Sequence, residues 1–158
     1  LGRKMKKFLE YLRRHTVVGL DTALFIYHLE DHPRYSVITE DLFSEMEKGG
    51  FKGMTSFLTL MEILVKPKAD GKPEVVQDYE FLLTTFPNLT FVPMGLEVAR
   101  RAADLRAAYR LRAPDAIQVA TALVYNATTF LTNDKKLKMV NELEIKILDD
   151  WLPEFKPQ

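Results

Sequence analysis

The 158 residues are 47% hydrophobic and carry 22 Lys plus Arg against 22 Asp plus Glu, so the formal net charge is zero. That size and apolar share fit one compact domain over residues 1–158 with a single sizeable core, and the balanced charge gives no global electrostatic case for nucleic acid or membrane. Cysteine is absent, which excludes disulfides, thiolate metal sites and cysteine nucleophiles.

Charge is nevertheless unevenly spread. RKMKK and LRRH lie near the start, and RRAADLRAAYRLR runs across residues 100–112. The longest apolar runs, such as FLTLM and ALFIY, fall well short of a membrane span. The first residues are charged throughout and lack a long apolar stretch, so they do not read as a signal peptide. The expected address is cytoplasmic, with no membrane partner. Residues 1–15 are expected to be a basic N-terminal extension, with residues 1–4 left over from expression and Met5 the native start.

In chain order, residues 5–14 predict a basic amphipathic helix. TVVGL (16–20) is β-branched, bounded by polar residues, and reads as a buried strand. Helices follow over 22–30 and 37–50, the second stopped by Gly49-Gly50. FKGMT (51–55) is a short strand, and SFLTLMEILV opens a helix with Ser56 near its N-cap. Residues 73–86 are helical, and LTFVP (89–93) is a strand closed by proline. Two further helices cover 96–110 and 114–126, with Pro114 near the first turn, where its missing N–H costs nothing. TTFLT (128–132) is a strand, 134–140 a short helix, and EIKIL (144–148) the last strand. Strands alternating with helices predict an α/β three-layer sandwich with a mostly parallel central sheet. In such sheets ligands collect at the carboxyl ends of the strands.

Four acids stand where that rule points. Asp21 directly follows TVVGL, and Asp134 follows TTFLT after one extra residue. Asp115 opens a helix in RAPDAIQVATAL, and Glu62 lies in the helix after FKGMT. Each has a purely structural reading. Asp21 and Asp134 could be N-caps, and Asp115 could complement a helix dipole. Leu58, Met61 and Val65 flank Glu62 at helical spacing, so its face is expected to be partly buried, which calls for a cation or hydrogen-bond donors. Taken together, clustered carboxylates repel and raise one another's pKa unless a cation sits among them. An all-oxygen site suits Mg2+ or Mn2+, and such an ion supports phosphodiester hydrolysis.

GLDTALFIYHLE, SFLTLMEILVKP, LRAPDAIQVATAL and FLTNDKKL, in that order and spacing, resemble the signature of PIN domains, with VapC-type ribonuclease toxins the nearest in look. The resemblance spans about residues 16–148. It implies a PIN-like fold and an acidic quartet, Asp21, Glu62, Asp115 and Asp134, that binds one or two Mg2+ or Mn2+ ions for RNA cleavage. Thr22 and Thr132 match supporting hydroxyl positions, and Asn133 the polar residue before the last acid. Further implications are products with 5′-phosphate and 3′-hydroxyl ends, homodimers, and silencing by a protein antitoxin. Two positions depart from the pattern. Ala23 replaces a common Asn or Ser after the D-T pair, and Lys135-Lys136-Leu137 replaces a common aromatic.

Other features carry less. The basic stretches could track an RNA backbone, or form solvated faces with pairs such as Arg100 beside Asp104. His15, His28 and His32 show no ligand spacing, and GGFKG lacks phosphate-loop spacing. Tyr109, Tyr125 and Trp151 read as core or interface. The leading function is thus a metal-dependent endoribonuclease, the toxin of a toxin–antitoxin pair. Two alternatives stay open: a phosphatase using Asp21 as phosphoacceptor, against which Ala23 counts, and a PIN-like module that binds RNA or protein without cutting.

Overall fold

In the computed structural model, which describes residues 2–152, every short apolar run became a strand within a residue or two of its expected bounds. The strands are β1 (Val17–Leu20), β2 (Lys52–Ser56), β3 (Leu89–Val92), β4 (Thr129–Thr132) and β5 (Glu144–Ile147). They form one sheet in the order β3-β2-β1-β4-β5, and all four neighbouring pairs are parallel. Among the described residues there are seven α-helices: α1 (Arg3–Arg13), α2 (Thr22–Leu29), α3 (Ser36–Glu47), α4 (Phe57–Ala69), α5 (Pro73–Thr84), α6 (Leu96–Tyr109) and α7 (Ala113–Val124). Parallel strands need crossovers, and α2 to α7 supply them in pairs from β1 through to β4, while α1 precedes β1 and a 3-10 turn lies between β4 and β5. The architecture is the expected three-layer α/β sandwich.

Alternation along the strands splits the core in two. Val18, Leu20 and Leu131 face one layer with α1, α2 and α3, while Met54, Val92 and Phe130 face the other with α6 and α7. Phe8, Phe25, Phe130 and Leu131 are fully or almost fully buried, each contributing about 1.5–3 kcal/mol of transfer free energy. At the centre of the sheet, a Cβ on Gly19 would lie 2.8 Å from the Phe130 ring and 3.0 Å from Ala122 Cβ. The bare glycine is what lets α7 lie close against β1.

The basic segment at the start is one side of this core. α1 buries Met5, Phe8, Leu9, Tyr11 and Leu12 and keeps its cations outside. Trp151 closes over it, 5.3 Å from the Phe8 ring and 5.8 Å from Tyr11. Trp151 belongs to a 3-10 turn, Leu148–Trp151, that has no counterpart among the elements expected from the sequence. The short helix expected over 134–140 is likewise a 3-10 turn, Lys135–Met139. Helix α3 stops at Glu47, and Gly49, at φ +86°, bonds back to Met46 O, a left-handed C-terminal stop that favours glycine. Among the described residues, no helix is long and apolar enough to cross a membrane.

Candidate active site

Asp21 leaves β1 still in register with its neighbour, its N–H donating to Leu131 O at 3.0 Å. It then caps α2 from extended backbone, Oδ1 accepting the Thr22 N–H at 2.8 Å. The other carboxylate oxygen accepts the Thr132 hydroxyl at 2.7 Å, across the end of β4. Thr132 is fully buried and its Oγ1 also accepts the Asp134 N–H at 3.0 Å. One hydroxyl therefore ties the acid after β1 to the acid after β4. Asp134 in turn caps the 3-10 turn that follows, accepting from Lys136 N. Capping α2 and bonding across to β4 are not alternatives for Asp21; one carboxyl does both.

Burial pushes the Asp21 carboxyl up to about 6. The Thr132 hydroxyl and the Thr22 N–H pull in the opposite direction, and the negative charges of Asp115 and Glu62 add to the rise. Three of the four acids thus lie within electrostatic reach at the carboxyl ends of β1 and β2. Asp115 sits in the first turn of α7, where it also accepts from the exposed Arg112 at 3.3 Å. An ion pair with so exposed a partner contributes at most about 1 kcal/mol.

Glu62 departs from its expected environment. Met61 and Val65 are 56% and 58% exposed, and Glu62 itself is exposed. Helix α4 is apolar on a solvent face as well as on its buried face, so helical spacing of Leu58, Met61 and Val65 did not mean burial. Glu62 is nevertheless held. Its Oε1 accepts the Thr22 hydroxyl at 3.0 Å, and among the described residues it forms no ion pair.

Beneath these acids lies a polar cluster that sequence reasoning missed. Thr22, Thr55, Thr59 and Gln118 are all buried. Gln118 Nε2 lies 3.1 Å from Thr22 Oγ1 and 2.7 Å from Thr59 Oγ1. Thr59 Oγ1 is 2.7 Å from Thr55 Oγ1, which donates to Leu20 O at 2.8 Å. Among the described residues Gln118 Oε1 is buried without a hydrogen-bond partner. The signal available in the sequence was a glutamine inside the apolar run of α7.

Asn133 points elsewhere. It donates to Tyr27 OH at 3.2 Å and accepts from Asp149 N at 3.1 Å, joining α2 to the last 3-10 turn and not touching the acids. Ala23 is half-buried in the first turn of α2. The histidines stand apart from the acids: His28 lies against Phe43, 4.5 Å between rings, and His15 bonds Thr128. Asp104 takes no part in an ion pair among the described residues.

The donor set fits a divalent cation in its chemistry, being carboxylate oxygens only, with one acid whose charge is penalised by burial and by its neighbours. It is not a converged cage. Among the described residues, no group of three or more acidic or histidine side chains stands close enough to hold a metal ion.

Against known proteins, the family description "PIN domain" matches residues 18–143. VapBC2 from Rickettsia felis, solved bound to a DNA fragment from its promoter, is similar in fold, with a TM-score of 0.67 at 18% identity over 83% of this chain and 98% of that one. A toxin–antitoxin complex from Klebsiella pneumoniae gives a TM-score of 0.63 at 20% identity, over 84% and 97%. VapBC-1 from nontypeable Haemophilus influenzae gives 0.61 at 16% identity, over 84% and 98%. No curated protein matches the chain.

Proposed function

Because the chain belongs to the PIN domain family, a family of nucleases, we propose that it is a metal-dependent endoribonuclease and the toxin of a toxin–antitoxin pair. The observation that carries this reading is the Asp21 carboxyl, held by Thr132 and Thr22 and raised by burial, with the charges of Asp115 and Glu62 adding to the rise. A lone cap needs neither like-charged neighbour. Asp21, Glu62, Asp115 and Asp134 are the residues that would hold Mg2+ or Mn2+. When bound, the ion supplies charge neutralisation for the acids and polarisation of a phosphate oxygen.

The chain's own groups do the rest. Thr132 fixes one oxygen of Asp21 and the backbone of Asp134, so two acids from separate strands keep one relative position. Thr22 fixes Glu62. A rim carboxylate accepts a hydrogen bond from the attacking water and aligns it on phosphorus. A new oxygen–phosphorus bond forms as the water gives up a proton to the rim carboxylate, the bond to the 3′ oxygen breaks, and that oxygen leaves as a hydroxyl after taking a proton from solvent water. The products carry 5′-phosphate and 3′-hydroxyl ends.

The reading takes residues 1–158 as one domain acting in the cytoplasm. An antitoxin partner is supported by the complexes in which similar folds were solved. The seat this reading gives that partner is the groove where Ile26, Leu29, Val75 and Tyr79 lie among the charged Glu30, Lys66, Asp70 and Lys72. Exposed Phe57, Met61 and Val65 on α4 are a face on which a second copy could pack as a homodimer.

RNA cleavage with Mn2+ or Mg2+, stopped by a chelator and lost in Asp21→Asn, is the expected result. Full activity in that variant or in chelator refutes the assignment. The unconverged acids favour one second reading, a PIN-like module that binds RNA or protein without cutting. Calorimetry separates the two, since that module takes up no Mn2+.

A further inference from the structure

We propose that Gln118 is a positioning residue for the acidic site, acting through the Thr22 hydroxyl to hold Glu62. Proton counting in the buried cluster carries the inference. Leu20 O can only accept, so the Thr55 hydroxyl spends its one proton there, at 2.8 Å. The Thr55–Thr59 contact of 2.7 Å then needs a proton from Thr59. With that proton spent, the Gln118 atom 2.7 Å from Thr59 has to be a donor, which fixes it as Nε2. The same nitrogen donates to Thr22 at 3.1 Å. Thr22 Oγ1 is thereby occupied as an acceptor. Its one proton has two acceptors in reach, Thr59 Oγ1 at 3.1 Å and Glu62 Oε1 at 3.0 Å. Thr59 already accepts from Gln118 and the carboxylate is the stronger acceptor, so the proton points out to Glu62.

The opposite amide orientation breaks this chain. An oxygen at that place would draw the protons of both Thr22 and Thr59. Glu62 would lose its donor, and the Thr55 and Thr59 oxygens would face each other with no proton between them. The fold instead leaves Gln118 Oε1 buried and unpaired, which keeps the donating edge on the two hydroxyls. Gln118 thus sets, from the interior of α7, the direction of a bond at the rim of α4, although it touches no acid itself.

That Glu62 is a metal-holding acid rests on the nuclease reading; that Gln118 aims Thr22 does not. Two measurements keep the two apart. Without metal, the chemical shift of the Glu62 carboxyl carbon at fixed pH is compared among wild type, Gln118→Met, Thr22→Val and the double variant, each with its melting curve. Gln118→Met is expected to shift the Glu62 carbon and to add nothing in the Thr22→Val background, whereas Gln118→Met in Thr22→Ser shifts it as in wild type. By calorimetry, Gln118→Met is expected to weaken Mn2+ binding by about tenfold, in the range for groups that orient metal ligands, and by less than twofold when Thr22 is already Val. An unmoved Glu62 carbon, or an equal Gln118→Met effect with and without the Thr22 hydroxyl, overturns the proposal. A carbon that moves as expected in a protein that takes up no Mn2+ upholds the positioning role and defeats the metal reading.

Discussion

Replacing Asp21 by Asn should stabilise the metal-free protein, the reverse of what loss of a capping charge does. The Asp21 carboxyl stands at about 6 against an ordinary 3.8, and a rise of that size corresponds to about 3 kcal/mol. The sign follows from proton linkage. A carboxyl whose folded pKa exceeds its unfolded one binds protons more tightly when folded, so its ionisation opposes folding above pH about 6. That opposition fades as the pH falls toward 3.8, the model value. Asn keeps one accepting oxygen for Thr22 N–H or the Thr132 hydroxyl and forfeits the other bond, a loss of about 1 kcal/mol. The net gain near pH 8 is therefore about 2 kcal/mol, or about 4–8 °C in Tm for a chain of this size. Urea titrations in chelator at about pH 8, 6 and 4 test it, the advantage disappearing at the most acid point. An Asp21→Asn protein no more stable than wild type at the highest pH, or equally stabilised at all three, refutes the electrostatic account. Saturating Mn2+ should reverse the ranking, since a ligand at a hundredfold its Kd stabilises only the binding form, by about 2.7 kcal/mol.

Thr132→Val removes the donor to Asp21 Oδ2 and the acceptor of Asp134 N–H in a buried place. An NMR titration should find the Asp21 pKa raised further, and unfolding should be easier by about 1–3 kcal/mol. Tyr11→Phe acts at the other end of the strands, where the phenol donates to Glu144 and lies 2.7 Å from Thr129 Oγ1. It should cost about 1–2 kcal/mol in denaturant titration and leave Mn2+ affinity and RNA cleavage within twofold of wild type.

What the sequence disclosed tracks how local each cause is. Strand bounds were readable because apolar runs stop at polar residues and glycines, and Ser56 announced α4 by accepting from Leu58 N. Asp21 was readable as a switch from strand to helix, since one residue ends β1 and caps α2. Longer-range causes were hidden. Helical spacing of Leu58, Met61 and Val65 could not tell which side of α4 meets the core, and Glu62 proved to lie on the open side. The last 3-10 turn is shaped by α1, which precedes it by more than a hundred residues, through Phe8 and Tyr11 against Trp151. Asn133 looked like a companion of Asp134 by adjacency alone, yet its side chain crosses to Tyr27. Gln118 was the least visible, because its meaning depends on three hydroxyls from α2, β2 and α4 meeting under one helix.

The strand order β3-β2-β1-β4-β5 also sets a timetable. While the chain emerges from the ribosome, β1 can pair with β2 early, but its other flank stays open until residues 129–132 appear. Thr132 and Asp134 arrive with that strand, so the Asp21 carboxyl lacks its second donor through most of synthesis. Pairings so distant in sequence form late and slowly. A chain cut short between α7 and β4 carries Asp21, Glu62 and Asp115 without the strand that supplies Thr132 to Asp21. In an unfinished copy of this protein Asp21 is therefore held on one side only, and the arrival of β4 and the residues just after it is the step that assembles the proposed site.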